Sequence, residues 1–363
     1  MELGIIGLAR SGKSSLFNAV TRGRAAIGTY SSREEPNVGV VRVPDPRVDA
    51  LAALFKPKKV TYAEVRWVDY PVAGFTAEGP GGRFLADLAG MDALVHVVRA
   101  FEDEAVPHPL VNVDPHRDVE ALELELAFAD LALIERRLAR LEAEMRSVKA
   151  AARGALERDR ELLGTLQREL EAGRALRALE LSEELRKQLA QYQFVTRLPE
   201  LLVVNIGESD LARAAEVEAE FAQRHGGRGV AVSALCAKIE AELAALEPAE
   251  AAEFRLDLGL PADSPLDRAI RGSYELLGMQ SFLTAGEDEC RAWPVRRGAL
   301  APEAAGRIHS DLERGFIRAE VARWDEMVAA GSIAELRRQG KLHTEGRGYE
   351  VQDGDVLNVL FNL

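Results

Sequence analysis

Short apolar runs punctuate the first third of the chain, and those at 3–6, 38–43, 63–68 and 93–98 each read as a buried strand. Segments of helical spacing separate them, which predicts a parallel α/β sheet. From Asp118 to about Leu189 the pattern changes: Gly and Pro nearly vanish, and Leu, Ala, Glu and Arg dominate, as in long helices. Leu131, Ile134, Leu138, Leu141, Met145 and Val148 recur at steps of three and four, a stripe suited to a partner helix. Leu162, Leu166, Leu170, Leu185 and Leu189 supply a returning stripe. The economical reading is an antiparallel helical hairpin with Gly154 or Gly164 loosening its turn. Strand patterns resume at 200–206 and 229–233, so the hairpin interrupts one α/β domain. A helical link then runs from beyond Pro261 to near Gly278. From Met279 the runs SFLTAG, CRAWPVRRG and YEVQDGDVLNVLF alternate with turn signals, which predicts a smaller α+β domain. The expected domain plan is 1–117 with 195–278, the hairpin at 118–194, and 279–363.

Length agrees with such a plan, because 363 residues exceed what one compact core usually holds. With 46 basic against 59 acidic residues the net charge is −13, which opposes non-specific binding to a phosphate backbone. Nucleic-acid contact must then be local, and Arg291, Arg296, Arg297, Arg314 and Arg318 are its candidate carriers, each with acidic residues nearby to pair with instead. Two cysteines, Cys236 and Cys290, form no disulfide framework, and nothing resembles spaced metal ligands. No run of eighteen apolar residues occurs and the opening MELGIIGLA is too short for a signal peptide, so a cytoplasmic chain with no membrane segment is expected, as a monomer.

The sharpest chemical signal follows the first strand. In GLARSGKSS, Gly7 is followed after four residues by Gly12, Lys13 and Ser14, the spacing of a phosphate-binding loop. Glycines there let main-chain amides turn inward around phosphates, the following helix aims its positive end at them, and Lys13 adds a cation. Ala9, Arg10, Ser11, Gly12, Lys13, Ser14 and Ser15 are therefore the expected phosphate contacts, with Ser14 on magnesium. Asp69 closes the run EVRWVD, where it reads either as the carboxylate that holds magnesium through water or as an ordinary turn former. Asn205, Ile206 and Glu208 in NIGE, with Ser233, Ala234 and Leu235 in SAL, end later strands and are candidates for the base pocket. A guanine-specific pocket wants an aspartate; the longer Glu208 in its place favours adenine, so ATP is expected over GTP. Glu208 and Asp210 read equally well as helix caps.

Taken together, GLARSGKSSLFNAVT, EPNVGVVRVPDPRVDAL, VVRAFED, NIGE, CAKIEAEL, FLTAGEDECRAWPVRRG, APEAAGRIHSDLERGFIRAEV and YEVQDGDVLNVLFN resemble the YchF/Obg-like ATPases over essentially the whole chain. The resemblance implies a Ras-like nucleotide domain with an inserted helical hairpin and a carboxy-terminal TGS domain of β-grasp fold. It also implies ATP preference through Asn205 and Glu208, slow hydrolysis, and association with ribosomes or ribosomal RNA. The family carries a histidine after its RxFED stretch, and His108 falls there as the group expected to position or deprotonate water, beside the alternative of a loop histidine with no role. His309 also matches the family and reads as ordering the TGS domain. Two departures stand out: Arg33 occupies the place of the first-switch threonine, with Ser31 or Ser32 as substitutes, and Pro71 lacks the amide that reads the terminal phosphate, leaving Gly74 for that role. Phe75 keeps the family's hydrophobic residue in place of a water-orienting glutamine. These departures support an alternative, a nucleotide-responsive binding module with negligible hydrolysis.

Overall fold

The computed structural model describes residues 1–22, 36–70, 75–76, 79–80, 82–147, 150–189, 191–261 and 263–362. The readings made for Ser31, Ser32, Arg33, Pro71, Gly74 and Val148 lie outside them, as does the side chain of Phe75. The chain forms two compact units, Met1–Val40 with Arg66–Ala269, and Val41–Val65 with Ile270–Leu363.

The described strands as far as Leu235 are β1 (Glu2–Ile6), β2 (Asn37–Arg42), β3 (Lys59–Thr61), β4 (Glu64–Asp69), β5 (Phe75–Thr76), β6 (Gly79–Pro80), β7 (Ala93–Ala100), β8 (Glu200–Ile206) and β9 (Val230–Leu235). A six-stranded sheet takes the order β2-β4-β1-β7-β8-β9, and the pairs β1–β4, β1–β7, β7–β8 and β8–β9 are parallel. Every residue of β8 is buried, as expected of a continuous apolar run covered on both faces. Helix α1 (Lys13–Thr21) leaves β1, α2 (Pro46–Phe55) follows β2, and α3 (Gly82–Ala89) precedes β7. Because the strands run parallel, the loops after β1, β4, β8 and β9 share one end of the sheet, where such folds bind ligands.

The hairpin is α4 (Pro115–Ser147) and α5 (Ala150–Glu171). Ile134 and Leu141 are fully buried against Leu163, Leu166 and Leu170. Gly154 and Gly164 do not make the turn: both lie within α5, and α4 ends at Ser147. Each costs about 1 kcal/mol in a helix, less than the surrounding Ala, Leu, Arg and Glu recover through propensity and packing. Asp130 of α4, buried, accepts hydrogen bonds from the Val195 and Thr196 amides and the Thr196 hydroxyl at 3.0, 2.9 and 2.6 Å, which ties the hairpin to the returning chain.

The second unit contains β10 (Met279–Thr284), β11 (Glu289–Arg296), β12 (Phe316–Arg323), β13 (His343–Glu345) and β14 (Asp355–Phe361), ordered β13-β12-β14-β10-β11-β3. The helix Ala301–Ile308 buries Ala301, Ala304 and Ala305 in one core with Phe282, Phe316 and Leu357. β3, from far earlier in the chain, adds to β11 in parallel, and the Thr61 hydroxyl bonds Glu289 at 2.5 Å. His309 caps the short helix after it by accepting the Asp311 amide.

Candidate nucleotide site

The loop between β1 and α1 has the geometry of a phosphate cradle. Gly7 and Gly12 have φ of 146° and 98°, and Arg10 is left-handed at 64°. A Cβ on Gly7 would lie 2.3 Å from the Val97 carbonyl oxygen, and one on Gly12 would lie 2.1 Å from Asn205 Nδ2, so both positions exclude side chains by contact as well as conformation. No side chain caps α1 and no acidic residue sits in its first turn, whereas Asp45 caps α2. The amides that open α1 are left for an anion.

Lys13 is buried, and its ammonium donates to the Gly7 and Leu8 carbonyls at 2.9 and 2.8 Å. Burial pulls its pKa down to about 8, with Asp69 opposing. Asp69 ends β4, and the Ser14 hydroxyl donates to its Oδ2 at 3.3 Å. Among the described residues its other oxygen, Oδ1, is buried with no hydrogen-bond partner. Burial pushes the Asp69 carboxyl up against the pull of Lys13, Ser14 and Asn37. An orphaned carboxylate oxygen beside a serine hydroxyl at the head of a phosphate loop is a donor set that fits magnesium. Ser14 and Ser15 are exposed, Ala9 is half-buried, and Ser11 is buried, its hydroxyl without a partner among the described residues. Arg10 turns to the Pro107 carbonyl at 2.9 Å.

Asn205 braces the cradle. Its Nδ2 donates to the Ser11 carbonyl and its Oδ1 accepts the Ala237 amide, both at 2.9 Å, so the side chain is spent on holding three segments together. Glu208 is exposed and paired with Lys238 at 2.7 Å. The side chains of Ile206, Ser233, Ala234 and Leu235 are buried. What those four residues offer a ligand is main chain, and the Ala234 amide already donates to Glu218 at 3.0 Å. His108 stands near the cradle: it lines a small cleft with Leu8, Ala9 and Ser11, and its Nε2 lies 2.8 Å from Asp118 Oδ2.

Sequence reasoning missed Asn37, the bracing role of Asn205, and a cluster in which buried His96 and Glu200 meet Arg177 and the half-buried Glu123. His96 Nδ1 lies 2.9 Å from Glu200, and Arg177 bridges Glu200 and Glu123. Burial and the Glu200 charge push Glu123 up to about 8. Burial works against Glu200, yet Arg177 and then His96 hold it well below the carboxylate range. Three of these residues gather potential metal ligands within 4.8 Å, but the guanidinium already supplies the cation. A glutamate opening a strand and an arginine after a helix carry no local signal of such a meeting. Of the arginines considered for RNA, Arg291 stacks over Trp293 at 3.8 Å, Arg314 pairs with Asp311, and Arg296 and Arg297 are exposed. No described helix is long and apolar enough to cross a membrane.

A family model named YchF-GTPase_C, described as a protein of unknown function (DUF933), matches residues 279–362. The ribosome-binding ATPase YchF of Bacillus subtilis is 40% identical over 371 residues, covering all of both chains. That of Escherichia coli O157:H7 is 37% identical over 370 residues, covering 100% of this chain and 99% of its own. The solved YchF GTPase of Schizosaccharomyces pombe matches with a TM-score of 0.84 at 27% identity, over 99% of this chain and 97% of that one.

Proposed function

The chain belongs to the YchF family, and from that premise we propose that it binds ATP with magnesium and hydrolyses it slowly to ADP and phosphate, as a cytoplasmic, ribosome-associated monomer. One observation carries the reading: a loop whose two glycines admit no Cβ opens onto an uncapped helix, with a buried ammonium on one side and a bare carboxylate oxygen on the other.

Catalysis in such a site is positioning and charge stabilisation. Main-chain amides of the loop and the start of α1 bind the phosphate tail, and Lys13 exchanges its two carbonyl partners for phosphate oxygens. Ser14 and Asp69 would hold magnesium, which when bound would neutralise charge on the transferring group. His108 orients the attacking water and takes its proton. Adenine preference rests on Asn205 and Glu208: the first is committed to the loop, and the second is neutralised by Lys238, so no free carboxylate meets the donor edge of guanine. Ribosome association comes from the relatives' names, and the exposed Arg296 and Arg297 are the cations we assign to it.

Lys13→Ala tests the site. We expect calorimetric titration with magnesium and ATP to show binding weakened by about a hundredfold or more. Undiminished affinity overturns the assignment.

A further inference from the structure

We propose that Asp118 is the positioning residue for His108, and that the Leu110 amide keeps this histidine disarmed until the turn at Val111 opens; the inference rests on the ATPase reading above. His108 Nδ1 accepts the Leu110 amide at 3.1 Å, so its ring proton sits on Nε2; that nitrogen lies 2.8 Å from Asp118 Oδ2 but out of line for a hydrogen bond, and among the described residues this buried oxygen has no hydrogen-bond partner. Both side chains are only 4% exposed. Asp118 stands in the first turn of α4, and its Oδ1 accepts from Arg117 Nε and Nη2 at 3.1 and 2.8 Å. The same guanidinium grips the Asn112 side-chain and main-chain oxygens, each at 2.8 Å. Asn112 in turn donates its amide to the Leu110 carbonyl at 2.9 Å, closing a three-residue turn centred on Val111. Val111 has φ of 75° and is 97% exposed. A β-branched residue rarely adopts this strained form of the γ-turn, and here no packing of its side chain compensates.

The ring from His108 through Leu110, Val111, Asn112 and Arg117 to Asp118 is thus closed at the one nitrogen a base needs free. Opening the turn relieves the strain at Val111 and withdraws the Leu110 amide, which frees the ring to bring Nε2–H into line with the unpartnered Asp118 Oδ2. His108 Nδ1 then accepts a proton from water as the water oxygen bonds the terminal phosphorus; the bond from that phosphorus to the bridging oxygen breaks, and its electron pair leaves with ADP. Asp118 stabilises the imidazolium, as the aspartate of a serine hydrolase does with the two ring nitrogens exchanged. Other charged groups of the same cleft are committed elsewhere: His96 to Glu200, and Arg99 to the Phe101 and Val106 carbonyls.

Steady-state ATP turnover of the full chain with magnesium tests this. Asp118→Asn, nearly isosteric, is expected to lower kcat by about tenfold to a hundredfold with KM within about twofold, and Asp118→Glu to restore part of the loss. Asp118→Asn added to His108→Ala is expected to cost nothing further. Val111→Gly, on an exposed side chain, relieves strain only in the closed turn and is expected to lower kcat about fivefold. Wild-type kcat in Asp118→Asn, or an equal loss in the His108→Ala background, overturns the positioning role. A rise in kcat for Val111→Gly overturns the disarmed turn. A wild-type chain that binds ATP yet releases no phosphate overturns instead the ATPase reading on which the inference stands.

Discussion

The two ends of the nucleotide site are built to different standards. At the phosphate end each part is fixed by several others: the glycines by contact and φ, the loop by both halves of the Asn205 amide, and Lys13 by burial and two carbonyls. At the end we propose for the base, the side chains are Glu208 and Lys238, 53% and 69% exposed and paired with each other. Triphosphate is the highly charged and invariant part of any nucleotide, so a rigid, desolvated cradle there gains most affinity per contact. The base is distinguished by neutral hydrogen bonds near solvent, each worth little. Affinity should therefore live at one end and selectivity, as a small difference, at the other.

The strongest way to break this contrast is Asn205→Ala. It strands the buried Ser11 carbonyl and Ala237 amide, at a cost of about 3 kcal/mol in stability. ATP affinity is expected to fall by about tenfold or more as the loop loses its brace. Thermal unfolding and calorimetry read both. A variant that melts like the wild type while changing only the ATP-to-GTP ratio would make Asn205 a base reader rather than a strut.

That distinction also marks how far the sequence was legible. The strand runs, the hairpin stripes and the cradle could be read because each depends on neighbours within a few residues: two glycines, a lysine and a serine at set spacing suffice. Asn205 could be read as a candidate for the base pocket, but not as a brace, because its partners lie 194 and 32 residues away. The segment 41–65 reads locally like the rest of the amino-terminal third, yet it clusters with the carboxy-terminal unit because β3 completes the edge of that sheet. Arg177, Glu123 and Glu200 carry no local signal of one another, and only folding brings them together. Gly154 and Gly164 misled because glycine marks a turn only where the helix has little else to lose.

A smaller effect sharpens the phosphate end. Burial holds Lys13 down to about 8, while a bound phosphate favours the ammonium. Binding near pH 8 must then take up protons, about half a proton per ATP, and apparent affinity must fall as pH rises above that point while staying level below pH 7. The sign follows because the free protein, not the complex, has the lowered pKa. Titrations in buffers of different ionisation heat measure the uptake. No uptake at pH 8 would mean that Lys13 does not meet the phosphates.

The smallest effect tests the base end. Lys238→Ala frees the Glu208 carboxylate, which could then accept from the ring N–H and amine of guanine but finds no donor pair on adenine's pairing edge. Preference should move toward GTP by about three- to tenfold, since neutral-base hydrogen bonds near solvent discriminate modestly. The melting temperature should stay at its wild-type value, because an exposed ion pair adds little to stability. Competition between ATP and GTP for the purified variant gives the ratio directly. If the ratio does not move, Glu208 is a helix-start residue with no part in reading the base, and selectivity must come from the main chain at 206–208 and 233–235, where Ile206, Ser233, Ala234 and Leu235 bury their side chains. A ratio that moved by several hundredfold would be equally damaging, because the base end would then carry the kind of desolvated, high-stakes contact that distinguishes the cradle.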